Sequence, residues 1–276
     1  MTNMLELTHC AGDVEGVARY AIVSETTPNF GRAPADDRRV IFQDMRGAHD
    51  APQLFREGFE LVKHRSSVAS FEDAEAVASI YLGEIRDLLK QRLGTEAVFM
   101  QQNWVLRADN RDYGAQALPD GKAAMTMKTG GFLHLDYDDE ASESWAKRTF
   151  EAAGVDKRPA GRLLVVTAWR AISRPPQDAP LALVDRRSVS TDAYILENIV
   201  TPEISWHGFQ ISYNPAHRFC WWSDMQRDEL LLFLQHEGGY GPGSGAPHIA
   251  FMHPACGGRG PPRESIEVRA YAFLNE

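Results

Sequence analysis

The stretch RLLVVTAWRAI (162–172) decides the fold, because it is the first of five similar segments that follow one another along the chain. The other four are PLALVD (180–185), FQISYNPAHRFCWWSDM (209–225), ELLLFLQH (229–236) and ESIEVRAYAFL (264–274). All are rich in β-branched, aromatic and leucine residues, and Pro, Gly, Asp and Ser separate them. This composition and spacing predict a barrel or sandwich of the jelly-roll kind.

The first third of the chain predicts a mixed α/β cover for this core. RRVIFQDMRG (38–47) and GFELVKH (58–64) have the composition of short strands before turns. We therefore expect one domain over 1–276, with an N-terminal cover over about 1–95 and the jelly-roll core over about 96–276. The fold class is mainly β with helices.

A long amphipathic helix is expected at the end of the cover. Ser70 and Asp73 have capping-box spacing, and Gly94 marks the expected end. Apolar residues recur between them at helical spacing, which predicts a helix of about 20 residues with one buried face. They are Val77, Tyr81, Ile85 and Leu88/Leu89.

The region between this helix and the five segments mixes strand, loop and helix patterns. EAVFMQQNWVLR (96–107) is strand-like, whereas the Tyr113–Gly131 stretch, rich in Gly, Asp and Lys, predicts a mobile loop. A second helix is expected over about Asp139–Ala153, with Gly154 ending it.

Composition excludes several classes of function. The chain has 276 residues with 29 basic and 38 acidic side chains, a net charge of −9, which argues against nucleic acid as a partner. The longest strongly apolar run, 230–234, is far shorter than the roughly 20 residues that span a bilayer. No secretory signal is apparent at the N-terminus. We expect a soluble, cytoplasmic protein without membrane contact.

The three cysteines are Cys10, Cys220 and Cys256. They are odd in number, widely spaced and outside any CxxC pattern, so the sequence predicts reduced thiols without a disulfide framework or zinc site. GxGxxG, Walker, GxSxG and HExxH patterns are also absent from the sequence. Nicotinamide, P-loop, hydrolase-elbow and zincin chemistry therefore lack support.

The candidate for catalysis is His134 in GGFLHLDYDD (130–139), which has Asp136 two residues later. Residues i and i+2 of a strand point to the same face, so both side chains can reach one metal ion. With a distant histidine they would form the 2-His-1-carboxylate face that leaves sites on ferrous iron open. The spacing alone is not specific, because His134 could also be a polar strand-end residue and Asp136 could open an acidic turn.

His248 is our preferred third ligand, because it follows a Gly/Pro loop at the start of a strand and has an Arg-x-Ser pair fifteen residues downstream. Arg263 and Ser265 can bind the distal carboxylate of a small dicarboxylic acid, the arginine in a bidentate pair and the serine through its hydroxyl. Arg269, on the same strand, is a further candidate for cofactor binding. His217, after an Asn-Pro turn, is the rival ligand and would otherwise lie behind the site or contact substrate.

Several large side chains are candidates for the substrate pocket or its surroundings. One residue of each alternating pair in a strand should point inward. These candidates are Trp169, Arg170, Tyr213, Trp221 and Trp222. The Tyr113–Gly131 loop is expected to close over substrate.

The chain resembles the CmcJ/AsaB/NvfI-like family of non-heme iron oxygenases. The resemblance runs from about Arg39 to Phe273 and rests on ordered blocks. They include DMRG (44–47), GFELV (58–62), HLD (134–136), PHIAF (247–251) and PPRESIEVRAYAF (261–273). It implies a double-stranded β-helix that binds Fe(II) and uses 2-oxoglutarate and O₂.

The same resemblance implies a dioxygenase of secondary metabolite biosynthesis. Such an enzyme hydroxylates, desaturates or oxidatively cyclises a small molecule through a ferryl intermediate. It also implies that His134, Asp136 and His248 are the metal ligands and that Arg263 anchors 2-oxoglutarate. Two alternatives remain open at the level of sequence: a ferrous oxidase without 2-oxoglutarate, and a non-catalytic jelly-roll protein that binds a small molecule.

Overall fold

The computed structural model describes residues 11–22, 34–109, 114–118, 121–200, 205–241, 243–256 and 262–275. It contains two curled sheets. The first is formed by β1 (Val14–Ala21), β2 (Ala35–Asp44), β8 (His134–Leu135), β10 (Leu181–Val184), β11 (Tyr194–Val200), β12 (Ser205–Ile211), β13 (Phe219–Trp221) and β15 (His248–Ala250). The second is formed by β3 (Phe59–Lys63), β4 (Val98–Met100), β5 (Asn103–Ala108), β6 (Gly114–Ala117), β7 (Ala123–Met127), β9 (Arg162–Ala171), β14 (Glu229–Glu237) and β16 (Glu264–Leu274).

From β8 onward the chain crosses repeatedly between the two sheets, so strands that are distant in sequence become neighbours within each sheet. The first sheet has the order β1-β2-β13-β10-β15-β8-β12-β11, and the second has β3-β14-β9-β16-β5-β7-β6 with β4 also paired to β16. The five expected segments all form strands, and short strands also occur at both predicted N-terminal positions. The predicted mainly β, jelly-roll fold is confirmed.

The N-terminal strands are part of these sheets. β2 pairs in parallel with β13, and β3 pairs antiparallel with β14. Strands from the expected cover therefore extend both sheets of the core, and the helix that follows packs on the outside of the second sheet.

That helix consists of α1 (Ala74–Ala76), a π-helical turn (Val77–Tyr81) and α2 (Leu82–Leu93), and it ends at Gly94 with a left-handed φ of 67°. Its cap is Asp73, whose carboxylate accepts from the backbone N–H of Ala76 at 3.0 Å. The predicted start at Ser70 is wrong, because the Ser70 hydroxyl accepts from Glu72 within a turn that precedes the helix.

The apolar face of the helix is the predicted one. Val77, Tyr81, Ile85 and Leu89 are all fully buried against the second sheet. Residues four apart drift by about 40° per step around an α-helix of 3.6 residues per turn, and the wider π turn offsets part of this drift. Each buried side chain contributes about 1.5–3 kcal/mol relative to an exposed one.

The second predicted helix is α3 (Asp139–Ala152), with Asp138 as its cap and Gly154 beyond its end. Two short 3₁₀ turns, Arg186–Ser188 and Thr191–Ala193, follow β10. None of the helices in the described ranges is long and apolar enough to cross a membrane.

The expected loop at Tyr113–Gly131 is wrong for most of its described part. β6 and β7 pair there antiparallel, and β7 also pairs in parallel with β5. Pairing at a sheet edge supplies backbone partners that the local composition does not reveal. Tyr113 and residues 119–120 lie outside the described residues.

The prediction of three reduced thiols is also wrong. Cys256 is disulfide-bonded, whereas Cys220 is a free, buried thiol. A disulfide depends on the proximity of two cysteines in the folded chain, which the sequence spacing does not show. Cys10 lies outside the described residues.

Candidate metal and co-substrate site

Adjacent strands of the first sheet place His134 and His248 side by side. β8 pairs antiparallel with β15, and His134 lies directly opposite His248 in the register. Directly opposite residues share a face of the sheet. The two imidazole centroids are consequently 4.3 Å apart.

Asp136 completes the group. Its Oδ1 lies 3.4 Å from Nε2 of His134, and one ligand atom from each of His134, Asp136 and His248 lies within 4.8 Å of the others. Nδ1 of His134 is 2.7 Å from the carbonyl oxygen of Phe132, a contact that needs the proton on Nδ1. In the neutral form of His134, Nε2 is then the unprotonated nitrogen and can bind a metal ion.

The other oxygen of Asp136 is held by two donors. Oδ2 accepts from Nε2 of Gln235 at 2.7 Å and from Nη2 of Arg269 at 2.6 Å. The Gln235 side chain also accepts from the backbone N–H of Asp136 at 3.2 Å. These contacts leave Oδ1 turned toward His134. Arg269, expected at the cofactor, lies instead behind the Asp136 carboxylate.

Burial and neighbouring charges set the protonation of these groups. Burial, together with a smaller effect of the nearby His134, lowers the pKa of His248 to about 3, so His248 is neutral at pH 7. Burial opposes ionisation of Asp136, but the charge of Arg269 and the neighbouring histidines outweigh it and keep its pKa well below the ordinary value. For His134, Asp136 outweighs burial and raises the pKa.

Arg263 lies in a narrow pocket beside these groups. The pocket is lined by Arg107, His134, Trp169, His248, Arg263 and Glu267, among others. Arg263 is 2% exposed, and none of its three side-chain nitrogen atoms has a hydrogen-bond partner among the described residues. Its guanidinium carbon lies 5.3 Å from the centre of the Trp169 ring. Burial lowers the pKa of Arg263 to about 10, so it remains charged at neutral pH.

Ser265 is the second buried donor. It is fully buried, and its hydroxyl is without a hydrogen-bond partner in the described part of the chain. Side chains two apart on β16 share a face, so Arg263 and Ser265 point to the same side of the sheet. A buried, unpaired guanidinium next to an unpaired hydroxyl is energetically costly unless a ligand meets both, and a carboxylate can do so.

Two charged residues of this pocket, Arg107 and Glu267, were not found from the sequence. Nε of Arg107 lies 3.1 Å from Oε2 of Glu267, and Glu267 also forms an ion pair with Arg269. Alternation along β16 places Glu267 on the face of Arg263 and could have identified it. No local pattern identifies Arg107, which comes from β5 and lies opposite Ser265.

The rival ligand His217 lies elsewhere. It packs in a separate apolar cluster, where its ring stacks on Tyr20 with centroids 5.8 Å apart. Tyr213 packs on the same Tyr20 ring from the edge, at 5.2 Å, and is 38% exposed. The structure therefore groups His248, and not His217, with His134 and Asp136.

Trp169 and the other large side chains predicted near the pocket point to different faces of their strands. Trp169 points inward to the Arg263 pocket, whereas Arg170 points outward and donates to the carbonyl oxygen of His64 at 2.9 Å. Trp221 donates to the carbonyl oxygen of Phe42 at 3.2 Å, and both residues belong to the apolar cluster that contains Tyr20, which we call the outer apolar layer. Trp222 packs edge-on against Phe59 at 6.0 Å. Of these, Trp169 is the one that lines the pocket.

Known proteins are similar to this chain over almost its whole length. The family described as "Oxidoreductase/YMDC permease-like domain" matches residues 11–273. The Fe(II)/2-oxoglutarate-dependent dioxygenase nvfI of Aspergillus novofumigatus is 26% identical over 264 residues, covering 90% of this chain and 87% of its own length. The hydroxylase/desaturase efuI of Hormonema carpetanum is 27% identical over 282 residues, covering 94% and 89%.

A solved structure shows the same fold. The iron and alpha-ketoglutarate-dependent endoperoxidase NvfI superimposes with a TM-score of 0.76 at 22% sequence identity. The match covers 96% of this chain and 99% of that one. The jelly-roll arrangement of the two sheets is thus shared over nearly the whole length of both chains.

Proposed function

The chain belongs to the oxidoreductase/YMDC permease-like family, and on that basis we propose that it is an Fe(II)/2-oxoglutarate-dependent oxygenase acting on a small, natural-product-like molecule. The observation that carries the proposal is that a group of potential metal ligands and a buried arginine without hydrogen-bond partners adjoin one pocket. His134 and His248 line this pocket, and their ligand atoms converge with that of Asp136. The unpaired guanidinium of Arg263 faces the same space.

The three converging side chains suit ferrous iron. Two neutral imidazoles and one carboxylate form a facial set that leaves coordination positions for further ligands. His134 offers Nε2 because Phe132 holds its Nδ1, and Asp136 offers Oδ1 because Gln235 and Arg269 hold its Oδ2. The buried Nδ1 of His248 has no hydrogen-bond partner among the described residues. These residues therefore fit an iron ion without rearrangement of their supports.

Arg263 and Ser265 suit the distal carboxylate of 2-oxoglutarate. The guanidinium can give two parallel hydrogen bonds, and the hydroxyl one more. Trp169 is buried against Arg263 and would shield an ion pair of this guanidinium with a carboxylate from water. When bound, Fe(II), 2-oxoglutarate and O₂ would supply the oxidising chemistry, while the chain orients them and excludes solvent.

The reaction type is taken from the range of the relatives. Their names include a dioxygenase, a hydroxylase/desaturase and an endoperoxidase, and one further relative, from Aspergillus oryzae, is an aspirochlorine biosynthesis protein. We propose hydroxylation, desaturation or oxidative cyclisation of a secondary metabolite. Strands from the first 95 residues are hydrogen-bonded into both sheets, which supports a single oxygenase domain over 1–276. The cytoplasmic location stays a prediction.

The test is an anaerobic addition of Fe(II) and then 2-oxoglutarate, with the visible charge-transfer band of the ternary complex as readout. We expect the band in the wild type and in the control Arg39→Ala, whose side chain is 81% exposed. In Arg263→Ala the affinity for 2-oxoglutarate should fall about 10–150-fold, because a charge-assisted hydrogen bond is worth about 1.5–3 kcal/mol.

Each other outcome favours a different function. Iron binding without a band in the wild type would replace the proposal with a ferrous oxidase that needs no 2-oxoglutarate. Failure of iron to bind would favour a non-catalytic binding protein. A full band with unchanged affinity in Arg263→Ala would show that the co-substrate lies elsewhere.

A further inference from the structure

The inner face of β16 carries an alternating row of polar side chains. Arg263, directly before the strand, and Ser265, Glu267 and Arg269 within it are two residues apart and therefore face the same side. On the other face of the strand, Ile266, Val268 and Ala270 are buried in the apolar cluster that also includes residues of the helix. Polar groups at four successive inward positions of a buried strand are costly unless their contacts compensate for the lost hydration.

Glu267 is the centre of this row. It is 5% exposed, and its two oxygens contact different arginines. Oε2 lies 3.1 Å from Nε of Arg107, and Oε1 forms an ion pair with Nη2 of Arg269. Burial favours the neutral form of Glu267, but the charges of Arg107 and Arg269 outweigh it and lower its pKa. The buried carboxylate is therefore ionised and paired on both sides.

The contact with Arg269 leads to the metal ligand. Nη2 of Arg269 also donates to Oδ2 of Asp136 at 2.6 Å. A terminal guanidinium nitrogen has two N–H groups, so it can donate one to Asp136 and one to Glu267. Its position is then fixed between two carboxylates, while the ring of Tyr137 lies 5.4 Å from its central carbon.

The contact with Arg107 leads to the co-substrate pocket. Arg107 lines the same pocket as Arg263, and its Nη1 donates to the carbonyl oxygen of Lys128 at 3.0 Å. Two guanidinium groups beside one small buried space repel each other, and this repulsion lowers the pKa of Arg263 in addition to burial. Glu267 neutralises Arg107, so that the nitrogen atoms of Arg263 stay available for a carboxylate.

We propose that Glu267 is a positioning residue that couples the metal ligand Asp136 to the co-substrate pocket through Arg269 on one side and Arg107 on the other. The proposal rests on the proposed function above, because it assigns the pocket to 2-oxoglutarate. Without the Glu267 carboxylate, Arg269 loses one of the two anions that fix it, and its hydrogen bond orients the Asp136 carboxylate less firmly. Arg107 at the same time becomes an unpaired cation beside Arg263.

The test compares Glu267→Gln and Glu267→Asp with the matched control Glu264→Gln. Glu264 lies three residues before Glu267 on β16 and on the opposite face of the strand. The glutamine keeps the volume but brings an N–H group against guanidinium groups, which cannot accept a hydrogen bond. The aspartate keeps the charge but is too short to contact both arginines. Anaerobic Fe(II) titration gives the metal affinity, and the charge-transfer band gives the 2-oxoglutarate affinity.

We expect Fe(II) affinity to fall about 10–100-fold in Glu267→Gln, as is typical for residues that support metal ligands, and to be intermediate in Glu267→Asp. The band should also shift or broaden, because Asp136 is less fixed. Wild-type affinities and an unchanged band in a folded Glu267→Gln protein would overturn the proposal. Should this variant fail to fold, wild-type Fe(II) affinity in Glu267→Asp would overturn it.

The two proposals can fail separately. A wild type that binds Fe(II) but gives no band with 2-oxoglutarate would remove the proposed co-substrate. The loss of Fe(II) affinity in Glu267→Gln would still report whether Glu267 supports Asp136. Conversely, a normal wild-type band with no effect of Glu267→Gln would leave the proposed function intact and remove only the coupling.

Discussion

Two buried histidines, His248 and His217, lie in different layers of the same molecule and differ in what surrounds them. They are 5% and 8% exposed, and burial lowers the pKa of each, to about 3 and to about 4. His248 lies on the inner face of the first sheet, where His134 and Asp136 converge with it. His217 lies in the outer apolar layer, stacked on Tyr20.

Burial of an imidazole therefore does not distinguish a metal site from a packed aromatic layer. Both nitrogen atoms of His217 and Nδ1 of His248 lack hydrogen-bond partners among the described residues. The difference is convergence: three ligand atoms within 4.8 Å of one another, with a buried cation in the adjoining pocket. A site needs several groups that share one ligand, whereas a single unpaired group only lowers stability.

The largest effect is expected when a side chain of the His134–Asp136–His248 group is removed and the result is compared with removal of His217. Asp136→Ala and His134→Ala should abolish turnover and lower Fe(II) affinity by more than about 100-fold, because two protein ligands cannot hold the ion facially. His217→Ala should leave Fe(II) affinity within about twofold, since its ring belongs to another layer. Anaerobic Fe(II) titration and 2-oxoglutarate consumption measure both.

Two results would contradict this comparison. Normal turnover in Asp136→Ala would remove the metal site as described here. Loss of iron from a folded His217→Ala protein would restore His217 as a ligand and displace His248. Circular dichroism of each variant checks the fold.

A second prediction concerns the support of Asp136 by Gln235. Gln235→Leu removes the 2.7 Å hydrogen bond to Oδ2 and the acceptor for the backbone N–H of Asp136. We expect Fe(II) affinity to fall about 10-fold, at the lower end for residues behind metal ligands, because Arg269 still holds Oδ2. Gln91→Leu, on the exposed side of α2, is the control. An unchanged affinity in Gln235→Leu would mean that Arg269 alone orients Asp136.

The sequence predicted the parts of the site that lie on one strand or have a paired motif. His134 and Asp136 follow from strand alternation, and Arg263 and Ser265 follow from their spacing and order after His248. The supports Gln235 and Arg107 come from other strands and become neighbours only through the register of β14 and β5. Register depends on the packing of the whole sheet, so one sequence does not fix it.

The same reason explains the errors. Arg269 was a candidate for cofactor binding, whereas its guanidinium donates to Oδ2 of Asp136 at 2.6 Å. β1 was not predicted, and β6 and β7 were assigned to a loop. These strands gain their partners from neighbours in the sheet, β2 for β1 and β5 for β7.

The smallest expected effect concerns His217 and the dependence of the free energy of unfolding on pH. The pKa of His217 is about 4 in the folded chain and about 6.5 in an unfolded one, so the unfolded state binds more protons between these values. The stability that neutral His217 contributes is present above about pH 6.5 and is lost as pH falls toward 4. His217→Phe, which keeps an aromatic ring against Tyr20, removes this dependence and adds only a pH-independent packing offset.

Urea unfolding at pH 7 and pH 4.5, with EDTA in every sample, measures the effect. The free energy of unfolding of His217→Phe relative to wild type should rise by about 1–2 kcal/mol between pH 7 and pH 4.5, a value reduced for partial exposure to solvent. The exposed His49→Phe serves as control. A difference that does not change with pH would mean that His217 gains a proton in the folded chain as readily as in the unfolded one. Its burial would then have no electrostatic cost, and the likeness to His248 from which the comparison starts would be wrong.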